Sequence, residues 1–200
     1  MCFEPLLPSR RWLFAGLAAL VFAVARAGPA AASDELAAKL AKPGHIAMMR
    51  HALAPGTGDP ANFTLGDCAT QRNLSEAGRR QARRTGDFLR SVGVSEARVF
   101  SSQWCRCMDT AELLELGAVE PLPALNSFFR DRAGGPEQTR QLREKIGELD
   151  LSQPVLMVTH QVNITGLTDV FPSSGEIVVL RREADGDLAV LGTVDPRSTQ

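Results

Sequence analysis

Three histidines occur in this 200-residue chain, and two of them stand where an apolar run ends. Arg50-His51 follows Ile46-Ala47-Met48-Met49, and His160 follows Val155-Leu156-Met157-Val158-Thr159. A third run, Arg98-Val99-Phe100-Ser101-Ser102, leads to Arg106. Two guanidiniums can grip a phosphate through forked, charge-assisted hydrogen bonds, and a protonated His160 would add another donor. An imidazole kept neutral by adjacent positive charge can attack phosphorus through a ring nitrogen. His51 is therefore the candidate nucleophile and a phosphohistidine its product. Phosphoryl transfer rests mainly on positioning and charge stabilisation, so such a pocket needs neither metal nor cofactor. The leaving oxygen still requires an acid within hydrogen-bond reach.

For these side chains to meet, the three runs must be neighbouring parallel strands, whose carboxyl ends are where ligands bind in open α/β sheets. Pro43-Gly44 precedes the first run and Ala52-Leu53-Ala54-Pro55-Gly56 breaks it. Arg50 and His51 can then share one ligand, because the strand has already become loop. The spacing predicts a short helix over Asp34 to Leu40 capped by Ser33, and a long polar loop from Ala52 to Asn73. A helix follows, capped by Ser75, with Ala77, Ala82, Phe88, Leu89 and Val92 near helical period. Its four arginines, Arg79, Arg80, Arg83 and Arg84, read as a solvated face. Further helices are expected over Cys107 to Leu116, Glu137 to Glu148 and Asn163 to Val170. A hairpin is expected between Glu176 to Arg181 and Leu188 to Val194, turned at Asp185-Gly186. Strands alternating with helices imply an α/β fold, a three-layer α/β/α sandwich with a mainly parallel sheet and an antiparallel edge.

Residues 1–32 read as an export signal, and residues 33–200 as one domain. Ser9-Arg10-Arg11 precedes an uncharged apolar stretch from Leu13 to Ala25, shorter than the ~20 residues a membrane span needs, and small residues suited to cleavage follow. The paired arginines also suit twin-arginine export, leaving either route open. A periplasmic or secreted protein with no stable membrane insertion is expected. Losing Arg10, Arg11, Arg26 and Glu4 moves the formal charge from −1 for the whole chain to −3, which gives no basis for nucleic-acid binding. Cys68, Cys105 and Cys107 remain. A disulfide is permitted after export, and Cys68 with one of the other two is the expected pair, since Cys105 to Cys107 would be strained. No fourth ligand is spaced to make a zinc site.

The ordered motifs resemble the histidine phosphatase superfamily, also called phosphoglycerate-mutase-like, from about Ile46 to Leu180. Arg50-His51 is similar to its Arg-His-Gly, and Asn73-Leu74-Ser75-Glu76-Ala77-Gly78-Arg79-Arg80-Gln81-Ala82 to its helix signature. Ser101-Ser102 with Arg106, and Thr159-His160, resemble its second arginine and second histidine motifs. The resemblance implies a metal-independent phosphomonoesterase with His51 as nucleophile and Arg50, Arg106 and His160 lining the phosphate pocket. Among exported members it implies lipopolysaccharide-core heptose phosphate phosphatases, and so a phosphorylated small molecule or envelope glycan as substrate. Two positions depart. Ala52 replaces a glycine, tolerable if its φ is negative. Ser127, after Leu125-Asn126, stands where relatives often carry a glutamate acid, which leaves Asp131 as the candidate acid, with Asp59 and Asp67 as alternatives. Gln161 and Asn163 are read as helix caps, His45 as structural and Glu176 as a turn residue. A non-catalytic phosphate-ligand binding protein that kept the pocket and lost the acid is the second expectation.

Overall fold

The computed structural model describes residue 1 and residues 29–196. Its strands are β1 (His45–Arg50), β2 (Arg98–Ser101), β3 (Val119–Pro121), β4 (Val155–Thr159), β5 (Ile177–Arg182) and β6 (Leu188–Val194). They form one sheet in the order β3-β2-β4-β1-β5-β6. The first four are mutually parallel, while β5 runs antiparallel to β1 and β6 antiparallel to β5. Helices α1 (Pro29–Ala38), α2 (Glu76–Ser91), α3 (Cys105–Leu113), α4 (Gly135–Glu148) and α5 (Gln161–Thr168) cover both faces.

The period of two in the strands decides which helix covers which face. Ala47, Met49, Val99, Leu156, Val158, Ile177 and Val179 face α1, α2 and α3, packing with Ala37, Leu89 and Ala111. Their neighbours Ile46, Met48, Phe100, Met157, Val178 and Leu180 point the other way, onto Leu142 and Ile146 of α4 and Ile164 of α5. The result is the three-layer sandwich expected, with a core on each side of the sheet. Each fully buried Leu, Ile or Met contributes roughly 1.5–3 kcal/mol, so the strands are held from both faces and their exits have little freedom.

Several boundaries differ from the expected ones. Helix α1 begins at Pro29, so Ser33 lies inside it and caps nothing. The export signal falls outside the described residues apart from residue 1 and residues 29–32, the latter opening α1. Among the described residues no helix is long and apolar enough to cross a membrane. Helix α3 begins at Cys105 rather than Cys107, which places Arg106 in its first turn. Helix α5 begins at Gln161, with His160 in the cap position. Val119–Pro121, in a segment expected to be connection, adds an edge strand parallel to β2. A three-residue strand ending in proline carries too little pattern to be recognised, and proline is tolerated there only because the edge needs no further donor. On α2 the Ser75 Oγ accepts from the Gly78 N–H at 3.1 Å as a cap should, and Ala77 turns outward instead of joining the apolar stripe. Arg80, Arg83 and Arg84 are exposed, as a solvated face requires.

Candidate active site

The register of the parallel strands delivers three side chains to one edge. Arg50 pairs with Thr159 across β1 and β4, and Ser101 with Val158 across β2 and β4. The ladder continues one residue further, His51 N–H donating to the Thr159 carbonyl at 2.9 Å and Ser102 N–H to the Val158 carbonyl at 2.9 Å. His51, Ser102 and His160 therefore leave the sheet side by side. The two imidazole centroids lie 5.5 Å apart. A cavity of about 330 Å3 opens above them, with Arg50, His51, Arg106, His160, Asp59 and Arg72 among its walls.

Each imidazole has its tautomer set by its partners. His51 Nδ1 lies 2.8 Å from the Ala52 carbonyl, so it carries the proton and donates. Nε2 then keeps its lone pair, which receives the Arg106 Nε–H at 3.3 Å. His160 Nδ1 faces Arg106 Nη2 at 3.3 Å and can only accept there. Its Nε2–H is left to donate to Ser102 Oγ at 2.8 Å, and Ser102 donates onward to Asn126 Oδ1 at 3.3 Å. Burial, with the charges of Arg106, Arg72 and Arg50, pulls the His51 pKa down to about 3 despite the opposing hydrogen bond to Ala52. The same causes, with His51 itself, hold His160 well below its ordinary value. In place of the expected protonated His160, burial beside several guanidiniums favours the neutral ring.

The arginines are placed by different devices. Arg50 Nη1 donates to the Pro172 carbonyl at 2.9 Å, and its Nε is buried without a partner among the described residues. Arg106, in the first turn of α3, is 2% exposed. Its Nη1 and Nη2 reach Asp59 Oδ1 and Oδ2 at 2.6 and 3.2 Å. Arg72 went unremarked in the sequence. Its Nε donates to the Gly58 carbonyl at 2.7 Å and its Nη1 to the Ala54 carbonyl. It lies in the long loop, where neither hydrophobic period nor turn chemistry predicts a direction, and only its place immediately before the helix signature was available as a signal.

That loop is fastened at several points. Cys68 and Cys105 form a disulfide, Cα to Cα 5.7 Å, and among the described residues Cys107 is a free, buried thiol. Gln71 Oε1 accepts the Cys105 N–H at 3.0 Å. Gln81, inside the helix signature, ties the chain after His51 to a later turn: its Oε1 accepts from Leu53 N–H at 2.9 Å, and its Nε2 donates to the Ser174 carbonyl at 2.7 Å. In that turn Gly175, with φ +82°, donates its N–H to the carbonyls of Arg50 and His51 at 3.1 and 3.2 Å. Ala52, in place of a glycine, keeps clear of positive φ and is fully buried against its neighbours. Its N–H donates to Thr110 Oγ1 at 3.0 Å.

The acid candidates separate. Asp131 is exposed, on the cavity wall, with one carboxylate oxygen accepting the Gly134 N–H at 3.2 Å ahead of α4. Asp59 is deep in the pocket, but the Arg106 hydrogen bond and charge, with the Trp104 indole N–H, outweigh burial and lower its pKa. Asp59 is an anion at neutral pH and a poor proton donor. Asp67 accepts the Ala69 N–H and caps a turn. Ser127 lines the cavity. Asn163 caps nothing: its Nδ2 donates to the Asn126 carbonyl at 2.8 Å. Gln161 lines the cavity instead. His45 bonds the Pro43 carbonyl at 2.9 Å, away from the site, and Glu176 accepts the Ser173 N–H at 2.7 Å in the turn. Among the described residues no group of three or more His, Cys, Asp or Glu could hold a metal ion.

Four arginines and two aspartates line the cavity, an excess of two positive charges that matches a phosphate monoester dianion. Residues 46–144 match the family model of the histidine phosphatase superfamily (branch 1). The protein histidine phosphatase SixA, solved with tungstate, has a similar fold at 20% identity and TM-score 0.55, over 78% of this chain and 99% of that one. A phosphoserine phosphatase from Entamoeba histolytica, with 3-phosphoglyceric acid, is similar at 11% identity and TM-score 0.56, over 78% and 99%. A mycobacterial glucosyl-3-phosphoglycerate phosphatase complexed with VO3 is similar at 16% identity and TM-score 0.58, over 74% and 97%. No curated protein matches the chain.

Proposed function

Because the chain belongs to the histidine phosphatase superfamily, we propose that it is an exported, metal-independent phosphomonoesterase that works through a phosphohistidine on His51 and acts on sugar phosphates of the cell envelope. The observation that carries this reading is the His51 ring. Its Nδ1–H is committed to the Ala52 carbonyl and its Nε2 lone pair faces into a pocket rich in guanidiniums. A neutral imidazole held in one tautomer by a backbone acceptor is an activated nucleophile.

In the first half-reaction Arg50, Arg72 and Arg106 hold the nonbridging oxygens. Arg106 Nε and Nη2 exchange the two imidazole nitrogens for phosphate oxygens. Nε2 of His51 forms a bond to phosphorus as the ester P–O bond breaks, and the departing oxygen takes a proton. Asp131, on the cavity wall, is assigned that proton transfer. Arrival of a dianion offsets the guanidinium field, so His160 gains a proton there and becomes a donor to the same oxygens. Water, giving a proton to the Asp131 carboxylate, then attacks the phosphohistidine, the P–N bond breaks with its electron pair returning to His51 Nε2, and inorganic phosphate leaves. Several donors aimed at the developing charge supply most of the acceleration.

Export rests on the leader-like residues 1–32 and on the Cys68–Cys105 disulfide, a bond that persists in oxidising compartments. The route, general or twin-arginine, is left open by those residues. The sugar-phosphate assignment rests on export and on a cavity large enough for a phosphate and a small ring. The oxyanions in two similar structures make vanadate the inhibitor of choice.

The test is hydrolysis of p-nitrophenyl phosphate by the mature chain without added metal, beside His51→Ala. Vanadate-sensitive turnover that falls at least ~100-fold in the variant, with circular dichroism unchanged, supports the enzyme. Equal hydrolysis by His51→Ala removes the nucleophile assignment. Tight vanadate binding with no turnover converts the reading to a phosphate-ligand binding protein, for which the serine at position 127 in place of an acid would be the reason.

A further inference from the structure

The geometry points to Asp59 as the positioning residue of the phosphate site: its buried carboxylate grips the outer edge of Arg106 and so aims the inner edge at His51 and His160. This deepens the phosphatase reading and rests on it.

A guanidinium has five N–H donors in a fixed plane, and here every direction is accounted for. Nε points to His51 Nε2 and one Nη2 proton to His160 Nδ1, both at 3.3 Å. The remaining Nη2 proton and one Nη1 proton take Asp59 Oδ2 and Oδ1 at 3.2 and 2.6 Å. The last Nη1 proton meets the Arg72 carbonyl at 3.3 Å. Arg106 and Asp59 side chains are only 3% and 9% exposed. A bidentate carboxylate fixes the plane and rotation of the guanidinium together, which a single oxygen acceptor does not.

Asp59 is itself held from three sides. The Trp104 indole N–H donates to Oδ2 at 3.1 Å and the Arg72 backbone N–H to Oδ1 at 3.3 Å. Its carbonyl and that of Pro60 each accept from Arg130 at 2.5 Å. Trp104 in turn stacks on Phe63, centroids 4.9 Å apart. A residue serving only as a surface loop anchor needs none of this. The arrangement resembles a metal ligand oriented by a carboxylate behind it, with the guanidinium in place of the ligand.

Charge and geometry here predict opposite signs, which makes the inference testable. An anion beside a phosphate pocket repels phosphate, so removing it by charge alone would tighten oxyanion binding. If Asp59 acts by aiming Arg106, removing it leaves two buried donors without acceptors, lets the guanidinium turn, and weakens binding. Displacement of a contact by about 1 Å can cost around a hundredfold in rate.

The experiment compares wild type with Asp59→Asn, Asp59→Glu and Trp104→Phe. It reads kcat and KM for p-nitrophenyl phosphate and for glycerol 2-phosphate, vanadate affinity by calorimetry, and thermal stability. The expected result is a fall in kcat/KM of roughly ten- to a hundredfold for Asp59→Asn, by the same factor on both substrates, with weaker vanadate binding. Asp59→Glu regains part of it, and Trp104→Phe shows a smaller loss in the same direction. A loss confined to glycerol 2-phosphate, whose leaving group needs protonation, overturns the inference by making Asp59 the acid. Tighter vanadate binding overturns it by making Asp59 a competitor for the pocket. Lower thermal stability with unchanged kinetics and affinity in the folded protein overturns it by leaving only a loop anchor. A wild type that neither turns over nor binds vanadate refutes the parent reading instead, and a wild type that binds without turnover still tests Asp59 through affinity.

Discussion

Replacing Cys68 with serine and Cys105 with alanine together removes the one covalent tie between the long active-site loop and α3 without leaving a stray thiol at either position. The two cysteines are 37 residues apart in sequence, and closing a loop of that length in the unfolded chain corresponds to about 3.8 kcal/mol at 25 °C. For a domain of this size, 1 kcal/mol moves Tm by roughly 2–4 °C, so the expected fall is about 8–15 °C. Urea unfolding of the oxidised wild type and the double variant, followed by circular dichroism, measures the difference directly. The same loop carries Asp59, Gln71 and Arg72, each bonded to the segment that begins α3. A rise in KM for p-nitrophenyl phosphate should therefore accompany the lost stability, and wild type treated with dithiothreitol should shift toward the variant in both readings. A destabilisation below about 1 kcal/mol, or a stability loss with KM unchanged, would refute the reasoning that the bond serves the pocket as well as the fold.

Acid stability follows from His51. Its folded pKa of about 3 lies below the ~6.5 of an unfolded histidine, so the associated stability is complete above pH ~6.5 and is lost as pH falls toward 3. At pH 5 that loss is about 2 kcal/mol; in His51→Ala the pH slope of unfolding should drop by about half a proton at pH ~6.5 and nearly one at pH 5, and an unchanged slope would count against the assignment. Gly78 tests the close approach of α2 to the chain after His51: a Cβ there would lie 2.1 Å from the Leu53 carbonyl oxygen, against backbone that cannot swing away. Gly78→Ala should cost at least ~2 kcal/mol and lower activity, because Leu53 follows His51 by two residues. A variant with wild-type Tm and kcat/KM would show that the helix shifts freely.

Arg50, His51 and His160 were legible in the sequence because strand exits are strongly patterned: an apolar run, a break, and a side chain thrown to the carboxyl edge. Arg106 was legible for a related reason, since it follows such an exit by a few residues. Arg72 was not, and Asp59 was legible only as an alternative acid, although it grips Arg106 and Arg72 shares the same pocket. Their directions depend on the path of the Ala52 to Asn73 loop, and that path is set by contacts with distant residues: Cys105, Trp104 and Arg130. No local period encodes them. The same limit explains Cys68, whose partner could be narrowed to two candidates but not chosen. Cys107 is fully buried in the hydrophobic core, and Cys105, at the first position of α3, is the one the loop reaches. Boundaries were off by about two residues at α3 and α5 because the helices start at the loop that leaves the strand, where the chain turns before its apolar period becomes visible. Asp131, the acid candidate, lines the cavity wall while one of its carboxylate oxygens accepts the Gly134 N–H.

The order of strands in the sheet has a consequence for how the protein is made. Strand β1, which ends on Arg50, has as its neighbours only β4 and β5, roughly 110 and 135 residues further along the chain. Pairings of such long range are slow to form and lie late in folding. While the first two thirds of the polypeptide are emerging, β1 has no strand partner, and its apolar residues Ile46, Met48 and Met49 stay open to chaperones or to aggregation. The pocket is assembled only when Val155 to Arg182 add β4 and β5 on either side of β1. A chain truncated after α4 should retain Arg50, His51, Arg106 and the two cysteines of the disulfide, yet remain without the pocket that brings them together.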